Sequence, residues 1–228
     1  MTAKFIKAQT ADQGILEFAE SISKIIKRQR KVLWLVCGGS NIPAAVRIMD
    51  NIRASVSEAD LGNLTVGQTD ERYGQIGHAD SNWAQMLEAG FNIHKVNTLP
   101  ILVGKSLEAT VSDYNDRLKI AMDDALGARG VIFAIFGIGA DGHIAGILPG
   151  SPAIDDPRCV TGYEAGSYIR ITLTPNVIRK IQVAYAFAFG ESKKKALMAF
   201  RDDAAAIDIR PAELLKEIGE AYVYSDQF

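Results

Sequence analysis

Two periodicities alternate along the chain. Val32–Val36 (VLWLV) and Val131–Phe136 (VIFAIF) are continuous apolar runs, and residues 181–189 (IQVAYAFAF) make another broken only by Gln182; all are rich in β-branched and aromatic residues, the pattern of strands buried on both faces of a parallel sheet. Shorter runs at 64–69, 98–103 and 221–224 read as further strands. So do 158–162 and 168–173, the latter alternating Tyr168, Arg170, Thr172 against Ile169, Ile171, Leu173. Between these runs apolar residues recur every three to four positions, as in Ile15, Phe18, Ala19, Ile22 and Ile26, or Leu107, Val111, Tyr114, Leu118 and Met122. That spacing makes one apolar helix face and predicts helices over 12–30 and 107–126. Helices are also expected at 43–53, at 82–89 with Asp80 or Ser81 as cap, at 175–180 with Thr174 as cap, at 191–203 and at 211–219. Such alternation predicts an α/β fold: a Rossmann-like, mostly parallel sheet with helices on both faces and right-handed crossovers. No linker or repeat interrupts the pattern, so residues 1–228 are expected to form a single domain.

Polar chemistry gathers where these strands end, and open α/β sheets bind ligands at their carboxyl ends. VLWLV runs into Cys37, Gly38, Gly39 and Ser40 before a helix. The first N–H groups of a helix lack internal partners, so this turn is a candidate anion cradle, with Ser40 either binding phosphate or capping the helix. It is not a Walker loop, because no Gly-Lys-Ser/Thr follows. The run 64–69 ends at Asp70, Glu71, Arg72 and Tyr73, three adjacent charges that either a surface turn or a site would explain. Run 181–189 ends at Gly190, after which Lys193, Lys194 and Lys195 open a helix. Cations there oppose the helix dipole, a conflict that an anionic ligand would resolve.

Val131–Phe136 leads into GIGADGH, with three glycines, Asp141 and His143 close together, and then IAGILPG. Gly137 to Gly142 match G-x-G-x-x-G. The dinucleotide fingerprint, however, needs a long helix after its third glycine, and Pro149, Gly150, Ser151 and Pro152 stop any helix after about one turn. His143 beside Asp141 suggests instead a general base with an orienting carboxylate. His78 and His94 sit in polar segments and read as solvated.

Composition narrows the chemistry further. The chain is 48% hydrophobic and 23% charged with a formal charge of -2, so it can bury a full core. It has no basic run beyond the three lysines, which disfavours nucleic-acid binding but not a small phosphate pocket. Two cysteines make no disulfide framework and suggest a reducing compartment. The first ten residues lack the apolar segment of a signal peptide, and no apolar run approaches the roughly 18 residues needed to span a bilayer. The cytoplasm is the expected location, with no membrane contact. Three separated histidines and two cysteines give no metal-ligand spacing, and no G-x-S-x-G nucleophile is present. The residues by themselves therefore point to metal-free acid–base chemistry on a small anionic substrate, for which a phosphorylated one is the expectation.

Four blocks occur in order: GGS at 38–40; DERY at 70–73 with DSN at 80–82; GIGADGH at 137–143 followed by PGS; and RITLTP at 170–175 with GESK at 190–193. Together they resemble the 6-phosphogluconolactonases, within the wider group that includes glucosamine-6-phosphate isomerase/deaminase. The resemblance implies hydrolysis of 6-phospho-D-glucono-1,5-lactone to 6-phosphogluconate, a step of the pentose phosphate pathway, without cofactor or metal. It implies that His143 is the catalytic base, with Asp141 beside it and Arg72 in the same pocket. Gly39, Ser40, Asp70, Arg170 and Lys193 would hold the substrate and its phosphate, Lys193 being preferred among the lysines for its G-x-x-K spacing after Gly190. Lactonases commonly carry Thr-Ala-Ser-Leu-Phe-Pro where this chain has Ile144 to Pro149, and Ile-Ala after the histidine resembles the deaminases. Those enzymes, however, have a glutamate at the place of Leu148 and a tyrosine at that of Arg72, so both departures favour the lactonase. The alternatives are an amino-sugar phosphate isomerase/deaminase and a non-catalytic phosphosugar-binding protein.

Overall fold

The computed structural model describes residues 3–228. Seven strands form one sheet: β1 (Lys4–Lys7), β2 (Val32–Val36), β3 (Leu64–Gln68), β5 (Asn97–Leu99), β6 (Val131–Phe136), β9 (Val183–Phe187) and β10 (Glu220–Ser225). Their order is β1-β10-β9-β6-β2-β3-β5, and every neighbouring pair is parallel. Three more strands, β4 (Asp70–Arg72), β7 (Val160–Ala165) and β8 (Tyr168–Leu173), make a separate antiparallel sheet in the order β4-β8-β7. The helices are α1 (Asp12–Ile26), α2 (Ile42–Ser55), α3 (Asn82–Glu88), α4 (Leu107–Gly127), α5 (Pro175–Ile178) and α6 (Lys194–Asp202).

The strands read as buried on both faces are so. Successive side chains of a strand point to opposite faces. Leu33, Leu35, Ile132, Ala134 and Phe136 pack with Val111, Tyr114 and Leu118 of α4 and Phe200 of α6. Val32, Trp34, Val36, Phe133 and Ile135 pack instead with Phe18 and Ile22 of α1 and Ile48 and Ile52 of α2. Each of these large apolar side chains, fully removed from water, contributes about 1.5–3 kcal/mol.

The connection from β2 leads to β3 on one side, and that from β6 leads on to β9 on the other. The carboxyl ends of β2 and β6 thus flank the reversal point where doubly wound sheets bind ligands. No helix follows β6 before Pro175, as the prolines after His143 require.

Five elements depart from expectation, the first being the helix expected at 211–219, which is a 3-10 helix over Pro211–Glu217. Asp70–Arg72 is not a surface turn but strand β4, where the chain leaves the main sheet and pairs with β8. Segments 158–162 and 168–173 form the β7–β8 hairpin outside the main sheet. A short edge strand, β1, starts the fold. Thr174 does not cap α5; its hydroxyl donates to the Arg158 carbonyl at 2.6 Å. Ser81 does cap α3, accepting from the Ala84 N–H at 3.1 Å. Among the described residues no helix is long and apolar enough to cross a membrane.

Candidate active site

The loop after β6 closes on itself: the Gly139 N–H donates to the His143 carbonyl at 2.9 Å and the Gly142 N–H to the Gly139 carbonyl at 3.0 Å. This brings His143 back against Asp141. Asp141 Oδ1 lies 2.6 Å from His143 Nδ1 and accepts the His143 main-chain N–H at 3.1 Å. A proton on Nδ1 is held by the carboxylate, which leaves Nε2 with a free lone pair. Burial alone would raise the Asp141 carboxyl, but the backbone N–H, charge and ring of His143 outweigh it and hold the group below the ordinary carboxylate range. Gly139 is required here, because a Cβ would stand 2.1 Å from His143 Nδ1 and 2.5 Å from Asp141 Oδ1.

The turn after β2 forms the facing edge. Gly39 adopts φ +64°, the left-handed region that favours glycine, and residues Gly39–Asn41 form a 3-10 turn. Helix α2 has no side-chain cap, so the capping reading of Ser40 falls away. At Gly38 a Cβ would lie 2.0 Å from Asn82 Oδ1; the asparagine occupies that space.

The small sheet supplies the charged wall. Its register sets Asp70 opposite Thr172 and Arg72 opposite Arg170, so strand alternation turns these four to one face and Glu71 to the other. Arg170 Nη1 is 4.0 Å from Asp70 Oδ2. Arg72 Nη1 donates to the Asp80 carbonyl at 2.8 Å, and its guanidinium lies 5.4 Å from the Tyr168 ring centroid. The Nε atoms of Arg72 and Arg170 are both buried without a hydrogen-bond partner. Burial raises the Asp70 carboxyl; the Thr69 hydroxyl and Arg170 only partly offset it. Burial, reinforced by Asp70, pushes the Cys37 thiol up to about 12, which makes it a packing residue and not a thiolate nucleophile.

From the third side comes Lys193. Gly190, at φ +98°, opens the 3-10 turn Glu191–Lys193, which the Lys193 N–H closes on the Gly190 carbonyl at 3.0 Å. Lys194 pairs with Glu191 at 3.2 Å. Of the three lysines, Lys193 lines the cleft.

One cleft of about 250 Å³ is thus walled by His143, Arg72, Asp70, Gly39, Ser40, Arg170 and Lys193 together, while Asp141 stands behind the histidine. Residues far apart in sequence meet there, from the turns after β2, β6 and β9 and from strands β4 and β8 of the small sheet. Sequence reasoning missed Asn41, Asn82, Ile138 and Ala145, which also line it. Ala145 takes φ +50° in a loop held by Gly146 N–H to Thr172 Oγ1 at 3.0 Å and by Tyr163 Oη to the Gly146 carbonyl; of the four, only Asn82 had a signal in the sequence, as the last residue of the DSN block. His78 is not simply solvated: its Nε2 is 3.0 Å from the Arg72 carbonyl. His94 is exposed and away from the cleft. No group of three His, Cys, Asp or Glu side chains fit for a metal ion occurs among the described residues. The arrangement offers a base with an orienting carboxylate, cationic groups on two sides and a glycine turn for an anion.

A model of the family described as "Glucosamine-6-phosphate isomerases/6-phosphogluconolactonase" matches residues 6–223. The chain is 25% identical over 235 residues to "Probable 6-phosphogluconolactonase 4, chloroplastic" of Oryza sativa subsp. indica, covering 94% of this chain and 71% of the rice protein. It is 24% identical over 241 residues to a glucosamine-6-phosphate deaminase of Lactobacillus johnsonii, covering 98% and 95%. Its fold is that of the 6-phosphogluconolactonase crystal structure from Thermotoga maritima, with a TM-score of 0.79, 18% identity and 98% of each chain covered.

Proposed function

Because the chain belongs to the glucosamine-6-phosphate isomerase/6-phosphogluconolactonase family, we propose that it is a lactone hydrolase that opens 6-phospho-D-glucono-1,5-lactone to 6-phosphogluconate, with residues 1–228 acting as one domain. The observation that carries this reading is the His143–Asp141 pair, 2.6 Å apart, bordering a cleft whose other walls carry Arg72, Arg170 and Lys193. A phosphate fits the cationic side, with Lys193, Arg170 and the Gly39–Ser40 turn around it. The lactone carbonyl then lies toward His143.

His143 Nε2 takes a proton from water as the oxygen bonds to the carbonyl carbon, giving a tetrahedral oxyanion. Arg72 stabilises the developing charge. The bond from that carbon to the ring oxygen breaks, and the imidazolium returns its proton to the departing oxygen. Asp141 keeps the imidazole in the Nδ1–H tautomer and stabilises the imidazolium, and Asp70, on the same wall of the cleft, pairs with Arg170 at 4.0 Å. The two free cysteines, both buried, support a reducing compartment such as the cytoplasm.

The similarity to the L. johnsonii deaminase keeps a second reading in view, against which stand Leu148 and Arg72. One experiment separates the two. The purified protein should acidify a weakly buffered solution of the lactone faster than the spontaneous rate and release no ammonia from glucosamine 6-phosphate. Ammonia release, or a lactone rate equal to the blank, sinks the proposal. A non-catalytic phosphosugar binder would leave the blank rate unchanged in wild type and in His143→Ala alike.

A further inference from the structure

Glu71 has no exposed surface, points away from the cleft, and takes no part in the mechanism above. Its carboxylate nevertheless accepts five hydrogen bonds. Oε1 takes the main-chain N–H groups of Arg72 and Asn82, each at 2.7 Å. Oε2 takes Gln68 Nε2 and Ser81 Oγ, each at 2.9 Å, and the Trp83 main-chain N–H at 3.0 Å. None of these partners is a cation. A buried carboxylate without a counter-ion is costly, and the site repays that cost only because five donors converge on it.

One oxygen therefore holds the backbones of Arg72 on β4 and of Asn82 at the start of α3, and both side chains line the cleft. The Arg72 guanidinium has few anchors of its own: a single hydrogen bond, to the Asp80 carbonyl, and the Tyr168 face, with Nε unpartnered. Its direction is thus set largely by its backbone. Asn82 in turn fills the space beside Gly38 and donates to the Asp70 carbonyl at 3.1 Å, so its position fixes that of the glycine turn. We infer that Glu71 is a positioning residue that locks the arginine wall and the glycine turn in register through Arg72 and Asn82. The inference rests on the lactonase reading for its kinetic test but not for its geometry.

Glu71→Gln keeps the volume but offers an N–H₂ where Trp83 N–H and Gln68 Nε2 need an acceptor. Displacing a reacting group by about 1 Å costs on the order of a hundredfold in rate, so kcat per folded molecule should fall about tenfold or more. The decisive arm is the cycle with Arg72→Lys. If Glu71 acts through Arg72, Glu71→Gln adds almost nothing on the Arg72→Lys background. Independent structural damage would multiply the two losses, and that result, or an unchanged kcat, overturns the inference. Should Glu71→Gln fail to fold, Ser81→Ala removes one donor and should give a smaller loss with the same non-additivity. A substrate-free measurement separates this idea from the lactonase reading. In a ¹H–¹⁵N spectrum the Arg72 Nε–H and Asn82 side-chain signals should shift in Glu71→Gln and stay in place in the exposed control Glu164→Gln. A wild type inactive on the lactone would fail only the lactonase reading, whereas unmoved signals would fail this one.

Discussion

Asp141 Oδ1 accepts two hydrogen bonds from a single partner, the ring Nδ1 of His143 at 2.6 Å and its main-chain N–H at 3.1 Å. The same atom thus fixes both the loop turn and the imidazole orientation. Asp141→Asn preserves the shape but can present an N–H₂ to Nδ1, which favours the wrong tautomer. Positioned acid–base catalysis contributes about 10²–10⁴-fold. We expect kcat on the lactone to fall by about 10²-fold with the melting midpoint little changed; a rate within twofold of wild type would remove Asp141 from the mechanism.

Gly139 lies flat against that pair. The methyl of Gly139→Ala would stand 2.1 Å from His143 Nδ1, far inside contact distance, so the imidazole must leave its place. The expected result is a folded protein with lactone turnover near the spontaneous background. Full activity in a pH-stat would show that the imidazole–carboxylate geometry is not the working one.

Much of this was legible in the chain. VLWLV and VIFAIF announce central strands because burial on both faces leaves no polar alternation, and their glycine-rich ends announce the cleft. The rest was hidden for physical reasons. Strand β1, KFIK, is a four-residue edge with exposed lysines at both ends, too short for a periodicity. Strand β4, DER, is polar, and only tertiary contacts make a buried carboxylate at Glu71 affordable. Asn82 reads as an ordinary first residue of a helix until Gly38 is seen to pack beneath it.

Acid stability offers an independent test away from the cleft. The Arg158 guanidinium beside Asp156, helped by its main-chain N–H at 2.9 Å, holds that carboxyl at about 2. An unfolded aspartate titrates near 3.9. The folded value is the lower one, so the stabilisation is fully present above about pH 5 and is lost as pH falls toward 2. Arg158 is half exposed, and screening reduces the contribution to about 1 kcal/mol. Asp156→Asn should lower the urea midpoint at pH 7, by an amount that shrinks steadily as pH falls from about 5 toward 2; a difference independent of pH would contradict this account.

Arg72 and Arg170 stand directly opposite each other in the β4–β8 register, and like charges so placed repel. Each also buries an Nε–H with no partner. Asp70, whose carboxyl is itself raised by burial, approaches only Arg170, at 4.0 Å, so the pair is left with excess positive charge and unmade hydrogen bonds. A phosphate bound by Arg170 together with Lys193 and the Gly39–Ser40 turn supplies a counter-charge and an acceptor on that side of the pair, and it binds the folded state alone. Ligand at ten times its Kd adds about 1.4 kcal/mol to folding stability, which for a chain of this size raises the melting midpoint by about 3–6 °C. Inorganic phosphate should therefore raise the midpoint of the wild type, whereas chloride at matched ionic strength should not. Arg170→Met removes one arm of the clamp and should abolish most of the shift. Were the variant to respond to phosphate as the wild type does, the anion would sit elsewhere and the orientation of the sugar in the cleft would have to be reversed.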